Sequence, residues 1–155
     1  MAHSRIFQVS EQPIREYDYI CESDFYDGWF LGSVADYVNE DCNRKEDIEW
    51  LKDSVNGFTF GVDENGNDYF IIKSKENYFA NKFDGFKKQI EKLKDCSFED
   101  FVYGLPDMFR LKELYNDKFG FYINGDYGLD TLDGFVRNAS NGDKYYIGNT
   151  IDYHF

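Results

Sequence analysis

Histidine and cysteine, the side chains most often used in catalysis and metal binding, are scarce in this chain. The only two histidines, His3 and His154, each lie within three residues of an end of the sequence. Histidine-centred catalysis would require the two ends to meet in a cleft beside a nucleophile or a metal. The three cysteines, Cys21, Cys42 and Cys96, lie far apart and form no CxxC pair. This spacing argues against a disulfide framework and a zinc site, and we expect buried thiols instead.

Motifs that bind phosphates or metal ions are also lacking. No two glycines stand two apart as GxGxxG requires, and no GK[ST] occurs. The loop of Asp63, Asn65 and Asn67 resembles the start of a calcium loop, but its sixth position is Asp68 and its twelfth is Ser74, where glycine and glutamate are needed. No Asp or Glu is followed two positions later by Lys, as in many metal-dependent nucleases. The sequence therefore predicts no catalytic residue, no metal and no cofactor.

Positive charge is in short supply, because 17 Lys and Arg stand against 30 Asp and Glu and give a net charge of -13. Such a balance disfavours nucleic acid or an anionic membrane as a direct partner and favours a basic protein surface. The apolar stretches are short, and the N-terminal residues lack a hydrophobic signal core. We therefore expect neither export nor membrane spanning, and a cytoplasmic location.

The chain is nevertheless rich in material for a core. A length of 155 residues is typical of one domain, and Phe, Tyr and Trp together make up 20% of the sequence. Only two prolines occur, with no internal repeat and no low-complexity linker. We expect residues 1–155 to form a single α+β domain, with a small, mostly antiparallel sheet packed by helices on one side.

Local patterns predict the elements in the first two thirds of the chain. Alternation predicts a strand over 5–10, and Ser23 with Asp24 predicts the N-cap of a helix that runs to about residue 38. Helical periodicity predicts a helix over 44–55, ended by Gly57, and a second over 76–94 with one apolar stripe. Asn65 and Gly66 between two β-rich runs predict a hairpin.

The last third is predicted in shorter pieces. Ser97 and Asp100 form a capping-box pattern before a short helix, and Pro106 opens another. A strand over 119–123, a helical or looped stretch over 129–136 and a last strand or strand pair over 144–155 complete the expected order.

The acids are unevenly distributed. Residues 16–43 hold eight acids and no Lys or Arg, whereas residues 73–94 hold seven lysines against three acids. Aromatic residues alternate with the acids of the first segment, an arrangement typical of contact surfaces. The predicted partner-binding residues are Asp18, Glu22, Asp24, Asp27, Asp36, Glu40, Asp41, Glu46, Asp47 and Glu49. Residues 36–49 would span about 21 Å if helical, with six acids, a spacing close to that of DNA phosphates.

These features favour a non-catalytic inhibitor that occupies the basic, nucleic-acid-binding surface of another protein, as DNA mimics of the anti-restriction or anti-CRISPR class do. An immunity protein that neutralises a basic toxin or nuclease effector is the first alternative, and a neighbouring toxin gene would distinguish it. An enzyme that uses carboxylates without a known motif is the second, because 30 acids provide many pairs.

Overall fold

The computed structural model describes residues 2–104 and 106–155, with only the backbone of Pro106 and Asp107. Two short 3-10 helices, Glu16–Asp18 and Glu22–Phe25, lie between the first two strands. The regular elements are β1 (His3–Ser10), β2 (Tyr37–Asn39), α1 (Arg44–Ser54), β3 (Phe58–Val62), β4 (Asp68–Ile72), α2 (Lys75–Lys94), α3 (Phe98–Tyr103), α4 (Pro106–Tyr115), β5 (Tyr122–Gly125), β6 (Gly128–Thr131), α5 (Leu132–Asn138) and β7 (Lys144–His154).

The seven strands form one sheet in the order β3-β4-β7-β1-β5-β6, and β2 pairs with the C-terminal end of β7. All strand pairs are antiparallel except β1 with β5. The α+β class and the mostly antiparallel sheet predicted from the sequence are therefore confirmed. The first and last strands of the chain lie side by side at its centre.

An extra residue in β7 changes which side chains face each side of the sheet. Phe7 pairs with Thr150, but Val9 pairs with Ile147, so β7 advances three residues where β1 advances two. Because side chains alternate along a strand, this bulge places Ile147 on one face and Ile151 on the other.

Helices cover one face of the sheet. Its buried core includes Phe7 of β1, Leu51 of α1, Phe70 of β4, Ile123 of β5 and Val136 of α5, all 0% exposed. Arg44 fastens the start of α1 to the bulge, because its guanidinium donates to the carbonyls of Gly148 (2.5 Å) and Ile147 (2.8 Å).

An irregular segment, not a helix, covers the opposite face. Residues 20–38 place Ile20, Phe25 and Phe30 against the sheet, where the Phe30 ring meets the ring of Tyr153 edge-on at 5.2 Å. The side chain of Asn149, in the bulge, donates to the Ile20 carbonyl at 2.8 Å. The two layers of the protein are thus both attached to the bulge of β7.

The helix predicted over 23–38 is wrong. Only Glu22–Phe25 is helical, as a 3-10 turn, and β2 begins at Tyr37. Gly28 and Gly32 adopt φ values of 142° and 80°, which a right-handed helix does not contain. A single helix would also present its apolar residues in one narrow stripe, whereas here they spread over the sheet.

Most other predicted elements are confirmed. They are the strand over 5–10, the helices over 44–55 and 76–94, the hairpin at Asn65-Gly66 and the two helices after Ser97. The strand predicted over 119–123 begins at Tyr122, and the stretch over 129–136 is β6 followed by α5. The expectation of buried thiols is wrong for Cys96, which is exposed, while Cys21 and Cys42 are half-buried and all three are unpaired.

Among the described residues, no helix is both long enough and apolar enough to cross a membrane.

Gly57 is required where the chain turns from α1 into β3. Its φ is 78°, and a Cβ atom there would lie 2.2 Å from the Ser74 carbonyl oxygen. We expect Gly57→Ala to lower the free energy of unfolding by about 3 kcal/mol, the sum of a left-handed backbone penalty and a steric clash. Gly66→Ala is the matched control, since Gly66 has φ 83° with nothing within 4 Å, and it should cost about 1 kcal/mol. Equal losses in urea denaturation would contradict the assigned clash.

Candidate functional site

The ten acids predicted to contact a partner do not all reach the surface. Asp47 on α1 is buried, where it accepts hydrogen bonds from Arg5 Nε (2.6 Å) and from the Thr150 hydroxyl (2.7 Å). Its assignment as a partner contact is therefore wrong, and its role is to attach α1 to the sheet. The other nine are exposed or half-exposed. In the described part of the chain, Glu49 alone among them forms an ion pair, with Lys52 at 3.6 Å.

Glu22 and Glu40 meet beside β2, and two more of these acids, Asp24 and Asp41, are close to them along the chain. The backbone N–H of Glu22 donates to the Glu40 carboxylate (3.1 Å), which joins the second 3-10 turn to the loop after β2. Asp24 lies on the same turn and accepts from the backbone N–H of Cys21 (2.8 Å), and Asp41 directly follows Glu40. We call Glu22, Asp24, Glu40 and Asp41 the acidic cluster.

An exposed tyrosine belongs to this surface. The Tyr26 hydroxyl donates to the Glu22 carboxylate at 2.8 Å. That hydrogen bond, together with the nearby negative charges of Glu22 and Glu40, raises the pKa of Tyr26. The hydroxyl therefore remains a hydrogen-bond donor throughout the neutral pH range.

The aromatic residues interleaved with the acids include both buried and exposed side chains. Phe25 and Phe30 are buried against the sheet, as core residues. Tyr17, Trp29 and Tyr37 are exposed, like Tyr26. The surface of this segment therefore presents large rings among uncompensated carboxylates.

The remaining predicted acids are exposed but not joined to the acidic cluster. No hydrogen bond or ion pair within residues 2–104 and 106–155 links the carboxylates of Asp18, Asp27, Asp36 or Glu46 to it. The idea of a helical row of acids over 36–49 is wrong, because α1 begins only at Arg44 and the preceding acids lie on β2 and a loop.

The two histidines, at opposite ends of the sequence, meet in the structure. β1 and β7 pair so that His3 lies opposite His154, with ring centroids 5.5 Å apart. Asp152 lies between them, at 3.3 Å from His3 Nδ1 and 2.8 Å from His154 Nε2. Tyr37 stacks on His154 with centroids 4.2 Å apart. Sequence reasoning missed this group, because only the pairing of the terminal strands creates it.

This triad has the donor set that suits zinc or a related ion, and its ligand atoms lie within 4.8 Å of one another. However, the Arg5 guanidinium donates to the Asp152 carboxylate and lies 3.4 Å from His3 Nδ1. Arg5 also forms an ion pair with Asp47, so one guanidinium neutralises both Asp47 and Asp152. A metal ion would have to displace that guanidinium to bind.

A cavity of about 450 Å³ opens beside His3, between α1 and α2. Aromatic and polar side chains share its wall, among them His3, Trp50, Tyr78, Lys82, Asp117 and Asp133. Asp133 is buried, and its carboxylate accepts hydrogen bonds from the Tyr78 hydroxyl (2.8 Å), the Lys82 ammonium (3.0 Å) and the Asp117 backbone N–H (2.8 Å). It thereby ties α2 and the segment before β5 to α5.

Asp117 is the second acid that lines this cavity. Burial raises its pKa, although its Oδ1 accepts the backbone N–H of Phe119 at 3.1 Å. Burial and the charge of Asp133 also raise the pKa of Tyr78, which therefore stays protonated.

The chain matches no protein-family model, no curated protein and no solved structure at a significant level.

Asp47 and Glu46 are neighbours that differ in burial, which allows a matched test of their roles. We expect Asp47→Asn to lower the free energy of unfolding by about 2 kcal/mol, because the Arg5 guanidinium loses one buried anionic partner. Glu46→Gln removes an exposed charge from the first turn of α1 and should cost less than about 1 kcal/mol. Urea denaturation of both variants measures the difference, and equal stabilities would show that Asp47 is not a structural anchor.

Asp117 should make stability depend on pH. Because its folded pKa lies above the unfolded value of 3.8, ionisation destabilises the fold at neutral pH. We therefore expect Asp117→Asn, whose amide oxygen can still accept from Phe119, to be more stable than wild type at pH 7. The advantage should shrink as the pH falls through the raised pKa. A difference that is constant with pH, or of opposite sign, in urea denaturation would contradict this assignment.

Proposed function

We propose that the protein is a non-catalytic inhibitor whose acidic surface occupies the basic, nucleic-acid-binding surface of a partner protein. The observation that carries this proposal is the acidic cluster, in which Glu22 contacts Glu40 and none of the four carboxylates forms an ion pair within the described part of the chain. Carboxylates held apart from Lys and Arg of their own chain are available to Lys and Arg of another.

The lysine-rich helix does not neutralise this surface. Lys82 of α2 pairs with the buried Asp133, Lys94 pairs with Glu91 of the same helix, and Lys75 donates to the carbonyls of Arg137 and Ala139. No lysine of α2 forms an ion pair with an acid of the segment over 16–43 in the described part of the chain, so the eight acids of that segment retain their negative field. Such a field accelerates association with a basic partner and makes the rate sensitive to salt.

The exposed rings supply the second requirement of a contact surface. Tyr26 lies beside the acidic cluster, and Tyr17, Trp29 and Tyr37 come from the same segment of the chain. Tyrosine and tryptophan are the residues that most often dominate the energy of an interface, whereas exposed ion pairs each contribute little. We infer that the carboxylates direct the approach and that the rings hold the complex.

A cytoplasmic location belongs to the same proposal, since three unpaired cysteines suit a reducing compartment. An immunity protein against a basic toxin would use the same surface, so the identity of the partner decides between the two.

A carboxylate-based enzyme or ligand-binding protein is favoured by one observation, the raised pKa of Asp117 in a cavity of about 450 Å³. We place it second because Asp133, Tyr78 and Lys82 in that cavity bond to one another. Saturable binding of a small molecule that Asp117→Asn abolishes would make it the leading proposal.

The experiment compares two variants of equal net charge. The test variant neutralises the acidic cluster with Glu22→Gln, Asp24→Asn, Glu40→Gln and Asp41→Asn. The control replaces four exposed acids elsewhere, with Glu11→Gln, Asp53→Asn, Glu64→Gln and Asp126→Asn. Proteins captured from a lysate of the producing cells are identified by mass spectrometry, and the affinity of each purified partner is measured. We expect the test variant to bind at least about tenfold more weakly and the control to bind like wild type.

Competition with duplex DNA completes the test. If the partner uses its nucleic-acid-binding surface, DNA should displace the wild-type protein, and added salt should weaken the complex. Equal binding by both variants, or a complex that DNA leaves intact, would contradict the proposal.

A further inference from the structure

The second half of α2, with α3 and α4, forms a helical arm made of residues 83–104 and 106–115. No residue of this arm whose side chain is described is buried. It nevertheless contains many large apolar residues. The apolar stripe predicted along α2 faces α4 in this arm, where the ring centroids of Phe86 and Tyr115 lie 6.4 Å apart. The two helices approach closely at Gly85, where a Cβ atom would lie 3.1 Å from Leu114. The arm therefore has an inner contact but no core of its own.

The outer surface of the arm is strongly apolar. Half of the large hydrophobic residues that are exposed in the described chain belong to it, namely Phe83, Phe98, Phe101, Val102, Tyr103, Met108, Phe109 and Tyr115. Phe98 and Tyr103 are 82% and 84% exposed. Since an aromatic side chain offers about 150 to 250 Å² in all, these eight residues present on the order of 800 Å² of apolar surface. This area is a sum over residues on three helices, and the largest continuous apolar patch on a typical monomer is about 300 to 600 Å².

We propose that this arm is the interface of a homodimer, with the arm of a second copy of the chain as its occupant. The exposed apolar area matches the roughly 800 Å² that each partner contributes to a standard stable interface. A two-fold axis along the arm would bring two α2–α4 pairs together as a four-helix arrangement, which buries both apolar faces with one self-complementary contact.

Charge favours a second copy over a basic partner at this surface. The sequence over 83–115 holds six Lys and Arg and seven Asp and Glu, so the arm carries a formal charge of -1 out of the total of -13. The rest of the molecule carries the remaining -12 and repels its own copy. Two copies can therefore approach each other most easily through their nearly neutral arms. The Lys and Arg residues of one arm can then pair with the Asp and Glu residues of the other across a two-fold axis.

The arm also contains a groove into which an exposed aromatic ring can fit. A groove of about 410 Å³ between α2 and α4 is lined by Phe86, Met108, Phe109, Leu111, Lys112 and Tyr115. The rings of Phe98 and Phe101 on α3 are the side chains of a second copy that could fill it. Rings that enter pockets near the centre of an interface account for most of its energy.

Sedimentation of the full chain over a wide range of concentrations tests the dimer. We expect the wild type to dimerise, and to do so at least as well in high salt, because salt screens repulsion between the acidic bodies and does not weaken apolar contacts. Phe101→Asp with Phe109→Asp should raise the dimer dissociation constant at least about hundredfold. Tyr17→Asp with Tyr127→Asp is the matched control, since both rings are exposed outside the arm, and it should dimerise like wild type.

A wild type that stays monomeric at every concentration would overturn the proposal, even if the arm then binds a different protein. A dimer that survives in the arm variant, or that the control loses equally, would overturn it as well.

Circular dichroism and the melting temperature show whether the arm variant is folded. If it is not, spin labels on Cys96, the exposed cysteine of the arm, in a Cys21→Ser, Cys42→Ser chain decide the question. Magnetic dipolar coupling between the spin labels of two copies supports a contact through the arm. A dimer that shows no such coupling has its interface elsewhere. The failure of the inhibitor proposal would not affect this result, since the two use different surfaces.

Discussion

The bulge in β7 is the feature on which both layers of the protein depend. One extra residue between Ile147 and Thr150 turns the following side chains over, so that a single strand supplies apolar residues to both faces. Its backbone carbonyls accept from Arg44 and so hold α1, while Asn149 holds the irregular segment on the other face. If the same residues alternated regularly, without the bulge, Ile147 and Ile151 would point to the same side, and one layer would lose its core contact.

The same arrangement determines where charge can be exposed. Because β1 and β7 are central and paired along their length, the polar residues at their ends form a compact network in which Arg5 serves both Asp47 and Asp152. The acids of the acidic cluster lie on a short turn and a loop beside β2, where backbone N–H groups donate to Asp24 and Glu40 and no ion pair of the described residues involves them. The acidic cluster is thus a product of irregular structure, and the apolar arm is nearly neutral. The two proposed interaction surfaces are therefore chemically distinct.

Local signals in the sequence predicted elements where one physical rule acts alone. Ser74 and Ser97 cap helices, and Asn65-Gly66 turns a hairpin, because each requirement is met within a few residues. The prediction of a helix over 23–38 was wrong because Gly28 and Gly32 adopt positive φ values and because Phe25 and Phe30 are buried against the sheet. The exposed outer surface of the arm could not be predicted either, since a helical stripe of apolar residues normally indicates a buried face.

The amino-acid sequence by itself determined the α+β class, the strong negative charge, most helix and strand positions and the shortage of catalytic residue types. Those properties follow from composition and from neighbours along the chain. The tertiary structure alone decided that Asp47 is a buried anchor, that Glu22 meets Glu40, and that His3 meets His154 around Asp152. Each of these depends on contacts between residues that are distant in the chain, and local spacing in the sequence does not reveal such contacts.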